Sequence, residues 1–159
     1  MWQRIRQSGP ACHRAAVGIL GALLVLLIGL AAQPASAQEG YVVIVNAANP
    51  VSSISRDELS RIFLEKTSTW KDGSRALPAD LTAGSRVRAR FSQEIHGKDT
   101  SAIKAYWQKM IFSGRGVPPA ELASPAEVIA FVAANRGAVG YVGADASLGE
   151  NVKALRLAP

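Results

Sequence analysis

Cysteine and histidine are almost missing from this sequence. Cys12 is the sole cysteine, and His13 and His96 are the only histidines among 159 residues. Cys12 precedes an apolar run that reads as removable, so the remaining chain has no disulfide, no thiol nucleophile and no cysteine-ligated metal. With His96 alone left, a Ser-His-Asp site or a multi-histidine metal site is poorly supplied, and no cofactor motif is present. His96 stands before Gly97 and reads as a solvated residue near a helix end. Aromatic residues make up 6% and charged residues 19%, but 48% of the chain is hydrophobic, which describes a globular protein and not a disordered one. Repeats, low-complexity tracts and long internal linkers are also lacking, so one domain is expected.

A dense basic stripe is lacking too. The formal charge is +6, but Arg4, Arg6 and Arg14 lie in the leading segment while all twelve acids lie beyond it; 15 − 12 leaves +3. So mild a balance suits anions or acidic surfaces and argues against a nucleic-acid reader.

What is present begins with a targeting pattern. Those three arginines precede an apolar stretch from Ala15 to Ala32, and Ala35-Ser36-Ala37 offers small residues for cleavage before Gln38. Residues 1–37 therefore read as a Sec-type signal peptide and 38–159 as the mature chain. The rival reading is a retained anchor, because 18 apolar residues can span a bilayer. Cleavage predicts a periplasmic protein with no stable membrane insertion.

Beyond the signal, strand and helix patterns alternate. Tyr41–Val45 is a valine-rich apolar run suited to a strand buried on both faces. Ser55 and Glu58 form a capping box, with Ile54 and Leu59 as a hydrophobic staple, and predict a helix over Arg56–Leu64. Asp57 and Glu58 are read as helix-dipole partners, not as catalytic acids. Thr69–Ser74 is turn-rich; Trp70, Asp72 and Gly73 there make either a recognition surface or a turn pinned by a core aromatic. Ala76–Leu81 reads as a strand, with Pro78 marking its edge or end. Gly84-Ser85 opens a helix carrying Val87, Phe91 and Ile95 on its apolar side. Ile103, Tyr106, Trp107, Met110 and Ile111 define the next helix, and Ser124-Pro125 with Glu127 starts another that ends near Gly137. Ala138–Val142 predicts a strand, with a weaker one near Val152–Leu157. This order predicts an α/β, three-layer lobe: a mostly parallel sheet with helices on both faces. Ligands of such folds approach the carboxyl ends of the strands, where loops run into helix N-termini.

The loop in that position is Leu81–Arg86. Thr82, Gly84 and Ser85 would combine backbone N–H groups, close approach and hydroxyl donors at a helix N-terminus. Arg86, Arg88 and Arg90 fall in the first turns, where a cation opposes the helix dipole by about 0.3–1 kcal/mol when exposed. A bound oxyanion reverses that penalty. Arg86 and Arg90 share a face and can converge on one phosphate, sulfate or carboxylate, while Arg88 points elsewhere. The bland alternative is that Ser85 merely caps the helix and the arginines sit in water.

The stretches VIVNAANPVSSISRDELSRIFLEKTSTWKDG, GSRVRARFSQEI, FSGRGVPP and GAVGYV occur in an order that resembles the phosphate-binding family of ABC-transporter periplasmic receptors. The resemblance implies a type 2 periplasmic-binding-protein-like (PBP-like) fold, of which this chain matches a single lobe, 38–159. It implies a non-enzymatic substrate-binding protein that takes phosphate or a similar oxyanion at Thr82, Gly84, Ser85 and Arg86, assisted by Arg90. Its implied partners are an ABC permease or a second chain supplying the missing lobe. In the family the binding loop reads like an Arg, then an Asp, then Gly-Ser-Gly-Thr; here Ala83 stands where the Asp would be, and Arg86 and Val87 replace the last two residues. Those departures favour an alternative, a ligand-free PBP-like protein-interaction or accessory module of the periplasm.

Overall fold

The run Tyr41-Val42-Val43-Ile44-Val45 has the β-branched composition of a strand interior, and it forms β1 (Tyr41–Asn46), buried over its last four residues. The computed structural model describes residues 40–158, so the signal-like segment 1–37 lies outside the described residues. β1 joins β3 (Leu77–Leu81), β4 (Ala120–Leu122), β5 (Ala138–Gly143) and β6 (Val152–Ala154) in a sheet of order β4-β3-β5-β1-β6. β4, β3, β5 and β6 run one way; β1 runs against both of its neighbours, with Val43 opposite Tyr141 and Val45 opposite Lys153. The sheet is mostly parallel by strand direction. β2 (Ser53–Ser55) and β7 (Arg156–Ala158) form a separate parallel pair.

Adjacent residues of β5 show that both faces are covered. A Cβ at Gly140 would lie 2.6 Å from Val128 of α4 (Pro125–Ala134), whereas the next side chain, Tyr141, stacks on Phe91 of α2 (Arg86–Phe91) with centroids 3.8 Å apart. Because neighbouring strand residues point to opposite faces, α4 lies on one side and α2 on the other, as the three-layer reading requires. Phe63 of α1 (Arg56–Phe63) joins the Phe91 side, with ring centroids 4.9 Å apart. The core, from Val43 to Leu155, sits between these layers.

The local rules account for the helix starts. Ser55 and Ser124 accept the N–H groups of Glu58 and Glu127, each at 3.2 Å. Glu58 leaves the reciprocal half of its box unmade and pairs with Lys71 at 3.1 Å. Trp70 is the core anchor of its turn, and its indole N–H donates to the Gly137 carbonyl at 2.9 Å. Pro78 marks a strand end but not a sheet edge. Leu77 donates its N–H to Gly137 on the β5 side, so the missing N–H of Pro78 falls on the β4 side, where pairing begins only at Ala79.

Five details differ from the sequence reading. β2 and β4 are strands of three residues with too little pattern to register, and the terminal strand is two strands hinged at buried Leu155. The helix opened by Ser85 changes to π-helical geometry over Ser92–His96 before Gly97 ends it at φ 63°. His96 is half-buried and engaged, not a freely solvated residue: its Nδ1 lies 2.9 Å from Ser60 Oγ, and its ring packs against Phe63 and Phe91. In α3 (Thr100–Phe112), Ile103 and Trp107 are buried under Leu64, but Ile111 is 52% exposed and takes no part in the core.

Candidate functional site

β3 ends at Leu81 and the chain turns through Thr82-Ala83-Gly84-Ser85 into α2. The Thr82 N–H donates to the Leu122 carbonyl at 3.1 Å, and the Thr82 carbonyl accepts from the Ser85 N–H at 3.0 Å. Ser85 is the N-cap: its Oγ accepts the Arg88 N–H at 3.3 Å, so its hydroxyl proton remains available to donate. A Cβ at Gly84 would meet nothing within 4 Å. Glycine there is not forced by packing, and the backbone is open to close approach. Thr82, Gly84, Ser85 and Arg86 are brought together at the carboxyl end of the co-directional strands, where an α/β sheet receives its ligands.

Arg90 is less simply placed. It lies one turn further along, and with Arg86, Ala89, Gln93 and Glu94 it borders a shallow depression. Its Nε is bound to Glu94 Oε1 at 2.8 Å, so a carboxylate already occupies the face on which the two arginines would converge.

The residues that hold this turn in shape were not recognised as a set in the sequence. Arg88 is buried, which corrects the alternative that placed all three arginines in water. Its guanidinium donates to the Leu81 carbonyl at 2.6 Å, pairs with Asp80 Oδ2 at 2.9 Å and reaches Glu121 Oε2 at 3.1 Å. Asp80 Oδ1 also accepts the Leu81 N–H at 2.9 Å and the Tyr141 hydroxyl. Burial pushes the Asp80 carboxyl above its ordinary range, opposed by the Tyr141 hydrogen bond and the Arg88 charge. The same burial, followed by the Asp80 charge, raises the Tyr141 hydroxyl far above the phenolic range, so it stays a donor. Arg88 thereby ties the first turn of α2 to the last residues of β3 and to β4. The sequence signal is only partial: an aspartate inside the strand LPADL asks for a buried partner, but its register with Glu121 and its contact with Arg88 emerge only in the fold.

Among the described residues, no three His, Cys, Asp or Glu side chains are grouped to hold a metal. Nor is any helix there long and apolar enough to cross a membrane.

No curated protein matches the chain. Solved structures do. The chain is similar to an ABC-type phosphate transport receptor from Vibrio cholerae at 23% identity and TM-score 0.58, covering 74% of this chain and 46% of that one. A phosphate-bound putative phosphate ABC transporter substrate-binding protein from Clostridium perfringens is 20% identical with TM-score 0.59, over 74% and 44% of the two chains. A possible phosphate binding protein from Planctomyces limnophilus is 19% identical with TM-score 0.58, over 75% and 41%. These likenesses establish the fold, and the chain spans less than half the length of each of the three. The sequence pattern of the PBP superfamily domain matches residues 34–157, which is most of the chain, and the protein therefore belongs to the PBP superfamily.

Proposed function

We propose that this protein is an exported, non-enzymatic single lobe that binds phosphate or a similar oxyanion at the β3–α2 turn. The anion would sit against Thr82, Gly84 and Ser85, accept from the helix-start N–H groups and the Ser85 hydroxyl, and be neutralised by Arg86 with help from Arg90. The carrying observation is the open Gly84 surface above a capped helix start, clamped from beneath by Arg88. The clamp keeps the donors aimed without adding a free cation to the turn. Phosphate ABC receptors among the structural relatives give the anion class its prior. An ABC permease, or a second chain supplying the other lobe wall, would complete the work of delivery or sensing.

Calorimetric titration of Gln38–Pro159 with phosphate, then sulfate, tests the reading. Saturable heat is expected, surviving physiological salt and abolished in the Ser85→Ala, Arg86→Ala double variant without loss of the folded state. Retained affinity in the double variant removes the site assignment. Silence towards both anions, from a folded chain, favours a second reading, a ligand-free interaction module. That reading has its own observation: Phe112 is 89% exposed and Val117 75% exposed.

A further inference from the structure

We propose that the C-terminal end of α3 and the loop after it form a docking tip for an anionic phospholipid surface. Ile111, Phe112 and Val117 are the exposed large hydrophobic residues of the described chain, and all three lie at this end. Residues 100–120 contain no acid, while Lys104, Lys109 and Arg115 are all exposed and form no ion pair among the described residues. Of the carboxylates nearby, Glu65 is engaged by the Val117 N–H at 2.6 Å, and Asp80 and Glu121, which border a cavity with Lys104 and Ile111, are both paired to Arg88. Apolar side chains projecting among cations match the two layers of an anionic membrane surface, headgroup charge outside and acyl chains beneath.

The tip is held, not loose. Gly114 takes φ 65°, the Arg115 N–H donates to the Met110 carbonyl at 3.0 Å, and the Gly116 backbone lies so close that an added Cβ would be 2.6 Å from Glu65 and 3.2 Å from Met110. Holding the loop this way keeps Phe112 and Val117 outward at little further entropic cost on docking. A bilayer receives exposed apolar side chains such as Phe112 and Val117 directly, whereas a protein would have to supply a cavity for Phe112. A second copy fits worse, because two like-charged tips would be brought face to face.

The inference is separate from the oxyanion site and is read by a different experiment. The core is drawn from residues 43–155, so Gln38–Pro159 retains what folds it and lacks the apolar leading segment that would bind lipid by itself. Vesicles of equal parts phosphatidylglycerol and phosphatidylcholine are floated with this chain at low and at physiological salt, beside vesicles of phosphatidylcholine alone. Binding to the anionic vesicles is expected, weaker at the higher salt and lost on the neutral ones. Phe112→Ser should lower the partition coefficient on the order of tenfold while leaving the melting temperature unchanged, since that side chain is nearly all exposed. Lys109→Glu with Arg115→Glu should lower it at low salt by a similar or larger factor. No binding at low salt by a folded chain overturns the proposal, as does binding that Phe112→Ser with Val117→Ser leaves intact. Self-association dependent on Phe112, seen by light scattering without lipid, would assign the tip to a second copy and also overturn it.

Discussion

Arg88 and Asp80 meet at 2.9 Å with only 8% and 11% of their side chains exposed, one at the start of α2 and the other near the end of β3. This pair joins the two elements that flank the candidate turn. Arg88 also serves the Leu81 carbonyl, and Asp80 accepts from the Tyr141 hydroxyl of β5, so strand ends and helix start form one bonded unit. Charges so far from water are tolerated only while each keeps its partners.

Removing one partner should therefore cost more than removing both. Arg88→Ala leaves Asp80 buried beside Tyr141 without its cation and is expected to destabilise the fold by about 3–5 kcal/mol. Arg88→Met with Asp80→Asn removes both charges while keeping volume, and should recover a substantial part of that loss. Urea unfolding of the wild type and the variants reads the difference. A double variant no more stable than Arg88→Ala would mean that the cation matters through its bond to Leu81 and not through Asp80.

His96 predicts a pH dependence with a definite sign. Burial, then the Lys66 and Arg88 charges, depress its imidazolium from the ordinary 6.5 to about 4. The unfolded chain therefore takes up a proton below pH 6.5 that the folded chain refuses until near pH 4. Its contribution is complete above 6.5 and is lost as the pH falls through that window. Asp80, raised by burial, acts in the opposite direction as it protonates, so the His96 part is isolated as the difference between wild type and His96→Gln. The midpoint of urea unfolding should fall between pH 6.5 and 4.5 more steeply in the wild type than in His96→Gln. Parallel slopes would mean that the ring is protonated in place, with Ser60 accepting from it.

The main architecture was legible because it follows from local chemistry. Ser55, Ser85 and Ser124 each cap the helix they were expected to start, and the apolar runs at Tyr41 and Ala138 are central strands. What escaped depended on partners distant in sequence. The three-residue strands β2 and β4 exist through pairing with β7 and β3, and no pattern that short marks them in isolation. Ile111 continues the four-residue apolar spacing of its helix from Trp107, yet α3 packs through Ile103 and Trp107, flanked by Tyr106 and Met110, and leaves it outside. The loop Thr82–Arg86 could be found from its glycine, serine and arginines. Its Arg88 support could not, because helical spacing separates Arg88 from Arg86 and Arg90 but does not reveal the acids awaiting it.

Glu94 gives the sharpest test of whether Arg90 belongs to the oxyanion site. Its carboxylate lies 2.8 Å from the Arg90 Nε, on the depression that Arg86 also borders. An anion recruited there must either compete with Glu94 or share the guanidinium with it. Glu94→Gln removes the competing charge and keeps the shape, so phosphate affinity should rise. The pair is partly exposed, and exposed pairs are worth about 0.2–1 kcal/mol, so a gain of roughly 1.5- to 5-fold is expected at low salt. It should shrink near physiological salt, because both side chains are partly exposed and salt weakens exposed ion pairs. Calorimetric titration at both salts reads the effect, with Arg90→Ala in the same background as the control. If Glu94→Gln leaves affinity unchanged while Ser85→Ala with Arg86→Ala still abolishes it, the anion is held by the turn alone and Arg90 is a surface residue paired with its own helix.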